Sequence, residues 1–234
     1  MDNMVEYIVG IDEVGRGPIA GPVAVCAFLI KDEKFIESCT CTSPTGTPVT
    51  GQTCDKLPKL KDSKKLSKRQ REVWFEYLRV AKTEGFCDYA VSFVSPENID
   101  KFGIAKCIQK ALNQSLEKIT TQDNSNSSRF TLKGSDATQN LNNLASYHIY
   151  LDGGLHAPSE YIHQETIIRG DELHPVISMA SIMAKISRDK IMANYAKEFP
   201  EYGFEKHAGY GTKAHYLAIK KHGQTPIHRK TFIH

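Results

Sequence analysis

Residues 7 to 30, YIVGIDEVGRGPIAGPVAVCAFLI, constrain the fold more than any other stretch of the chain. Two runs rich in Val, Ile and Ala, VEYIVGID and GPVAVCAFLI, flank a glycine-rich turn, and this pattern predicts a β-hairpin. Asp12 and Glu13 stand where the first run gives way to the turn. In an extended strand Ile8, Gly10 and Asp12 share one face while Val9, Ile11 and Glu13 share the other, so the two carboxylates reach one place only if the strand stops there. Carboxylates beside apolar core are costly unless a cation, a hydrogen-bond network or a metal compensates them. The stretch therefore predicts a compensated acidic site at the end of a core strand.

Further along, SKRQREVWFEYLRVAKTEG places Val73, Trp74, Tyr77, Leu78 and Ala81 at helical spacing, with Ser67 as the cap and Gly85 as the stop. CDYAVSFVSP reads as a strand, and SPENIDKFGIAKCIQKALNQSLEKI as a helix burying Ile104, Ile108, Ala111, Leu112 and Leu116. SYHIYLDG and ETIIRGD predict two more strands. Residues 175 to 199 predict a long helix, with Pro175 at its tolerated first position and small residues Ala180, Ser181 and Ala184 for close packing. Strands interleaved with helices make an α/β fold in one domain spanning residues 1 to 234. Two polar stretches without apolar periodicity, at about 37 to 58 and 120 to 147, read as inserted surface loops.

Lys and Arg total 30 against 27 Asp and Glu, a net charge of +3, which excludes a basic-tail polymer binder and leaves room for a local basic patch. Neither a secretory signal nor a membrane-length apolar run is present, so a cytoplasmic monomer with no membrane association is expected. Six scattered cysteines fit free thiols, with Cys26 and Cys107 as packing residues. A zinc site from Cys39, Cys41 and Cys54 is disfavoured, because the C-x-C start lacks the usual spacing and no fourth ligand is evident.

Asp152 in YLDGG and Asp171 in RGDELHP also fall near predicted strand ends, where sites form in α/β sheets. Alone, an Asp before Gly reads as a turn residue. Acids drawn from three separate segments into one cleft would repel strongly unless cations occupied it. An all-oxygen set suits Mg²⁺ or Mn²⁺ rather than zinc, and His174 and His228 then read as structural. Paired ions of this kind clamp the attacking and leaving oxygens of a phosphodiester displacement, which points to phosphodiester hydrolysis.

GIDEVGRGPIAGPVAVCA, LKDSKKLSKRQRE, YLDGG, GDELHPVISMASIMAKISRDKIM and HAGYGTKAHYLAIKKHGQTPIHRKTF, taken in that order, resemble the motifs of the ribonuclease HII family. The resemblance implies a ribonuclease H-like fold with a mixed central β-sheet flanked by helices. It also implies a metal-dependent endonuclease that cuts the RNA strand of RNA–DNA hybrids and incises 5′ to single ribonucleotides in duplex DNA, as in ribonucleotide excision repair and primer removal. By the same resemblance Asp12, Glu13, Asp152 and Asp171 are the catalytic, Mg²⁺- or Mn²⁺-binding acids. Gly15, Arg16 and Gly17 match the loop that reads the 2′-hydroxyl, a group only RNA offers and one that glycines allow the backbone to approach. Tyr210 matches the tyrosine stacked on the next sugar, and Lys64, Lys65, Lys185 and Arg188 match phosphate contacts. His228, Arg229 and Lys230 add basic character to a short substrate-binding segment at about 205 to 234. The sister type, ribonuclease HIII, carries a lysine at the place of Arg16 and an extra N-terminal domain, and neither feature fits. Two other classes stand beside this reading: a non-catalytic hybrid-binding module, which gains nothing from clustered acids facing phosphates, and a resolvase-like nuclease acting on ribose-free branched DNA.

Overall fold

A computed structural model describes residues 7–31, 35, 36, 39, 57–60, 63, 65–126, 144 and 146–233, with the backbone alone for 121–126. Lys64, Cys41, Cys54 and most of both predicted insertions lie outside the described residues. Five strands, β1 (Tyr7–Val14), β2 (Val23–Ile30), β3 (Cys87–Val94), β4 (Tyr147–Asp152) and β5 (His163–Ile167), form one sheet in the order β3-β2-β1-β4-β5. β1, β2 and β3 run antiparallel in turn, whereas β4 runs parallel to both β1 and β5. The sheet is therefore mixed, and the predicted hairpin is its centre.

Helices α1 (Lys68–Thr83), α2 (Pro96–Phe102), α3 (Ile104–Asn126), α4 (Gly170–Leu173), α5 (Pro175–Glu198), α6 (Phe204–His207) and α7 (Lys213–His222) surround it. β2 is buried along its whole length because both faces are covered, which explains its unbroken apolar run. Val23, Val25, Ala27 and Leu29 meet Ile108, Ala111, Leu112 and Leu116 of α3. On the opposite face Cys26, Phe28 and Ile30 meet Trp74 and Leu78 of α1 and Val176, Met179, Ala180 and Met183 of α5. Squeezed between sheet and α1, the N-terminal half of α5 is buried nearly all round, and the small side chains Ala180, Ser181 and Ala184 permit that closeness. A smaller cluster of Ala20, Met192, Tyr202, Phe204 and Ile227 docks the C-terminal segment on the far end of α5.

Several expectations are corrected. The single helix expected over 95–119 is two, because Gly103 adopts φ 79° and breaks the run before Ile104. α3 continues to Asn126, so the stretch predicted as a loop from 120 begins as helix. Ser67 caps α1 as expected, in a capping box completed by Gln70, but Val73 is exposed and Phe75 is buried in its place. The strand expected over ETIIRGD ends at Ile167, and Asp171 falls in the one-turn helix α4. Cys26, Cys39, Cys87 and Cys107 are buried free thiols, and the Cys39 Sγ lies 3.9 Å from the Tyr77 hydroxyl.

Candidate active site

β1 and β4 are adjacent parallel strands paired through Ile11 and Leu151, so the next residues, Asp12 and Asp152, stand side by side at their C-terminal ends. One carboxylate oxygen from each of Asp12, Glu13 and Asp152 lies within 4.8 Å of the others. The strand does not stop at Asp12, contrary to the simplest way of gathering the acids; it continues to Val14. The Asp12 Oδ1 accepts the Glu13 N–H at 2.7 Å. Their carboxylate oxygens still come together although the strand continues past both residues.

Asp171 approaches from α4. Gly170, one residue before it, donates its N–H to Asp152 Oδ1 at 2.6 Å, and the Asp171 carbonyl accepts the Ser178 hydroxyl at 2.6 Å. Asp12 and Asp171 are 4% and 3% exposed. Burial drives the Asp12 pKa well above the ordinary carboxylate range, a Ser181 hydrogen bond opposes the rise, and the charges of Glu13, Asp152 and Asp171 add to it. Ser181 in turn bonds Ser63 through their hydroxyls at 2.8 Å, deep under the site. The Glu13 pKa is raised too, mainly by burial, with Arg16 pulling it down from 3.6 Å. The cluster that meets is Asp12, Glu13 and Asp152, with Asp171 close enough to act on the Asp12 charge and the Arg16 guanidinium beside Glu13; its all-oxygen donors and their mutual repulsion fit hard divalent cations.

Arg16 is largely exposed beside the acids. Gly15 sits at φ 93°, a conformation open to glycine, and Gly17 faces the ring of Tyr210. Tyr210 is 46% exposed. Its carbonyl accepts the Nδ1–H of His215 at 2.9 Å, and the main-chain partners of three histidines fix their tautomers. His228 Nδ1 accepts the Thr225 N–H at 2.8 Å, so its Nε2–H donates to His215 Nε2 at 3.0 Å. His207 Nδ1 accepts the Gly209 N–H, leaving its Nε2–H for the Tyr202 carbonyl at 2.9 Å. The structural role expected of His228 thus has a specific form, while His174 stacks on Tyr150 with ring centroids 4.0 Å apart.

The basic residues divide. Lys65 is exposed and paired with Glu172, which also holds Arg169 at 2.6 Å. Lys185 lies along α5 with its Nζ 2.7 Å from Asp189 Oδ1. Arg188 is corrected: it is fully buried, and its guanidinium donates to the carbonyls of Pro22 (2.8 Å), Ala208 (2.9 Å) and Ala20 (3.2 Å), leaving it no route to a phosphate. Arg229 is equally buried, so it adds nothing to a surface basic patch, whereas Lys230 is exposed. Ser63, and the hydrogen-bonding role of Ser181 beyond the close packing expected of it, escaped the sequence reading because nothing in a serine's neighbourhood along the chain announces a partner 118 residues away.

The family model for ribonuclease HII matches residues 9–39 and 49–234. Ribonuclease HII of Endomicrobium trichonymphae is 38% identical over 226 residues, covering 96% of this chain and 84% of that protein. The Clostridioides difficile (strain 630) enzyme of the same name is 35% identical, covering 97% of this chain and 70% of its own length. Among solved structures, ribonuclease HII in a PCNA complex from Archaeoglobus fulgidus superposes with a TM-score of 0.63 at 23% identity, covering 97% and 96% of the two chains. Ribonuclease H2 from Pyrococcus horikoshii OT3 gives 0.59 at 24%, covering 96% and 93%. At these identities the structural likeness carries the fold, and the mixed sheet flanked by helices is the one expected. Family match and full-length relatives together place the chain in the ribonuclease HII family, which makes it a metal-dependent ribonuclease H, an endonuclease of the hydrolase class.

Proposed function

We propose that the protein hydrolyses the RNA strand of RNA–DNA hybrids and incises 5′ to a lone ribonucleotide in duplex DNA, using two divalent ions held by Asp12, Glu13, Asp152 and Asp171. The observation that carries this reading is the meeting of carboxylate oxygens from Asp12, Glu13 and Asp152 within 4.8 Å, beside a loop whose Gly17 faces Tyr210. When bound, hard cations supply the Lewis acidity that offsets phosphate charge and lowers the pKa of water. The chain's own residues do the rest. Asp12 and Asp152, each pinned by a main-chain N–H, present fixed oxygens; Glu13, held toward Arg16, orients the attacking water. Arg16 and the glycines flanking it approach the ribose edge, where the 2′-hydroxyl distinguishes RNA from DNA. Tyr210 offers a stacking face for the following sugar, and Lys65 and Lys185 offer charge to the phosphates. Such work belongs to ribonucleotide excision repair and primer removal.

The test is a set of labelled duplexes: DNA with one ribonucleotide, an RNA–DNA hybrid and all-DNA, each incubated with Mg²⁺ or Mn²⁺. The expected products are a nick 5′ to the ribonucleotide and fragmentation of the hybrid's RNA strand, with all-DNA intact. A folded sample that leaves the first duplex whole defeats the proposal.

A further inference from the structure

Arg229 is a buried arginine with an unusual set of partners. It is 0% exposed, and its guanidinium donates to three main-chain carbonyls: Gly15 at 2.7 Å, Gly21 at 2.9 Å and Arg16 at 3.1 Å. Two of those carbonyls are consecutive and belong to the Gly15-Arg16-Gly17 loop. No described peptide bond is cis. In a trans peptide the N–H points opposite to the C=O of the same plane. Drawing the Gly15 and Arg16 carbonyls inward therefore turns the N–H groups of Arg16 and Gly17 the other way, away from the buried guanidinium. Successive N–H groups aimed outward form a concave donor site for an oxygen atom.

The placement of Arg229 is itself braced. Its N–H donates to the Ile19 carbonyl at 2.8 Å, and Ala20 and His228 form a β-bridge next to it. Asp100, from α2, accepts the N–H groups of Lys230 (2.9 Å) and Thr231 (3.0 Å) and the Thr231 hydroxyl (2.7 Å), and the Phe232 ring lies 5.3 Å from the guanidinium. From the other side Arg188 gathers the carbonyls of Ala20, Pro22 and Ala208. A lysine, with a single point charge in place of a planar fork, cannot hold three carbonyls in this arrangement.

We propose that Arg229 is a positioning and specificity-determining residue: from inside the protein it sets the two outward N–H groups that receive the ribose 2′-oxygen. This rests on the proposed reading of the Gly15–Gly17 loop and deepens it, since the loop's selectivity then depends on a side chain that never touches substrate.

The experiment compares Arg229→Lys with wild type on the single-ribonucleotide duplex, on the same duplex carrying 2′-fluoro in place of the 2′-hydroxyl, and in Mn²⁺ titration calorimetry without nucleic acid. Arg229→Lys is expected to lower kcat on the ribonucleotide about 10- to 100-fold, as displacement by about an ångström does. KM should stay within about threefold, Mn²⁺ affinity should be unchanged, and the preference for ribose over 2′-fluoro should shrink. Asp100→Ala, which loosens the segment but keeps Arg229, should move kcat and selectivity the same way by a smaller factor, and it serves where Arg229→Lys does not fold. Wild-type-like kcat and selectivity in the folded variant overturn the proposal, as does a loss of Mn²⁺ affinity equal to the loss of kcat. Failure of the unaltered protein to nick any ribonucleotide instead sinks the parent reading of the loop.

Discussion

At the residue scale the central fact is that Asp12 is buried among like charges. Its folded pKa, and that of Glu13, lies above the ordinary value, so the folded state keeps protons that the unfolded chain releases. The stability these acids contribute is complete below the unfolded pKa and is lost as pH rises through the folded one. At neutral pH and above, the ionised cluster therefore opposes folding until cations relieve it. Asp12→Asn is expected to abolish cleavage while raising the melting temperature of the metal-free protein at pH 8, a gain of about 0.5–2 kcal/mol. Thermal melts in chelator and in Mn²⁺ check it: wild type should gain much more from the ion than the variant. Cleavage by Asp12→Asn at the wild-type rate would remove Asp12 from the site.

Among elements, the packing of α5 on β1 sets where the acids stand. Gly10 lies two residues before Asp12, and a Cβ there would run into main-chain atoms of Val176 in the first turn of α5. Gly10→Ala must push the helix outward, and Ser178 and Ser181, which bond Asp171 and Asp12, move with it. Denaturant melts should show a loss of about 1–3 kcal/mol, with Mn²⁺ affinity falling alongside. Much of this architecture was legible in the sequence. The hairpin, α1 with its Ser67 cap and α5 with its proline start follow from periodicity and capping, and the four acids stand out because the sequence sets each near the end of an expected strand. What periodicity cannot express is the third dimension of a single residue. Gly103 reads as a tolerable helix glycine until its positive φ splits the run. Arg188 and Arg229 read as surface charge because a basic residue looks the same in a string whether its donors meet phosphate or carbonyl. The meeting of Asp12 and Glu13 oxygens within a strand that continues is likewise something no spacing rule encodes.

Across the whole molecule, the C-terminal segment and the first loop form one mechanical unit, joined by arginines and by the histidine chain behind Tyr210. The chain works only with neutral rings: a proton on His215 Nε2 would face the Nε2–H of His228. Burial, with His207 and His228 nearby, pushes His215 down to about 4 from 6.5, and burial also lowers His228. A histidine with a depressed folded pKa lends stability that is complete above the unfolded value and erodes as pH falls toward the folded one. Protein melts should therefore show stability declining from about pH 6.5 toward pH 4, and His215→Asn should flatten that part of the profile. An unchanged slope would detach the histidine chain from acid sensitivity. The distance in sequence between Arg229 and the carbonyl it grips at Gly15 is 214 residues. Arg229 follows β5, α5 and α7 in the chain, so a polypeptide cut short before it would keep all four acids yet leave the Gly15 carbonyl without its guanidinium.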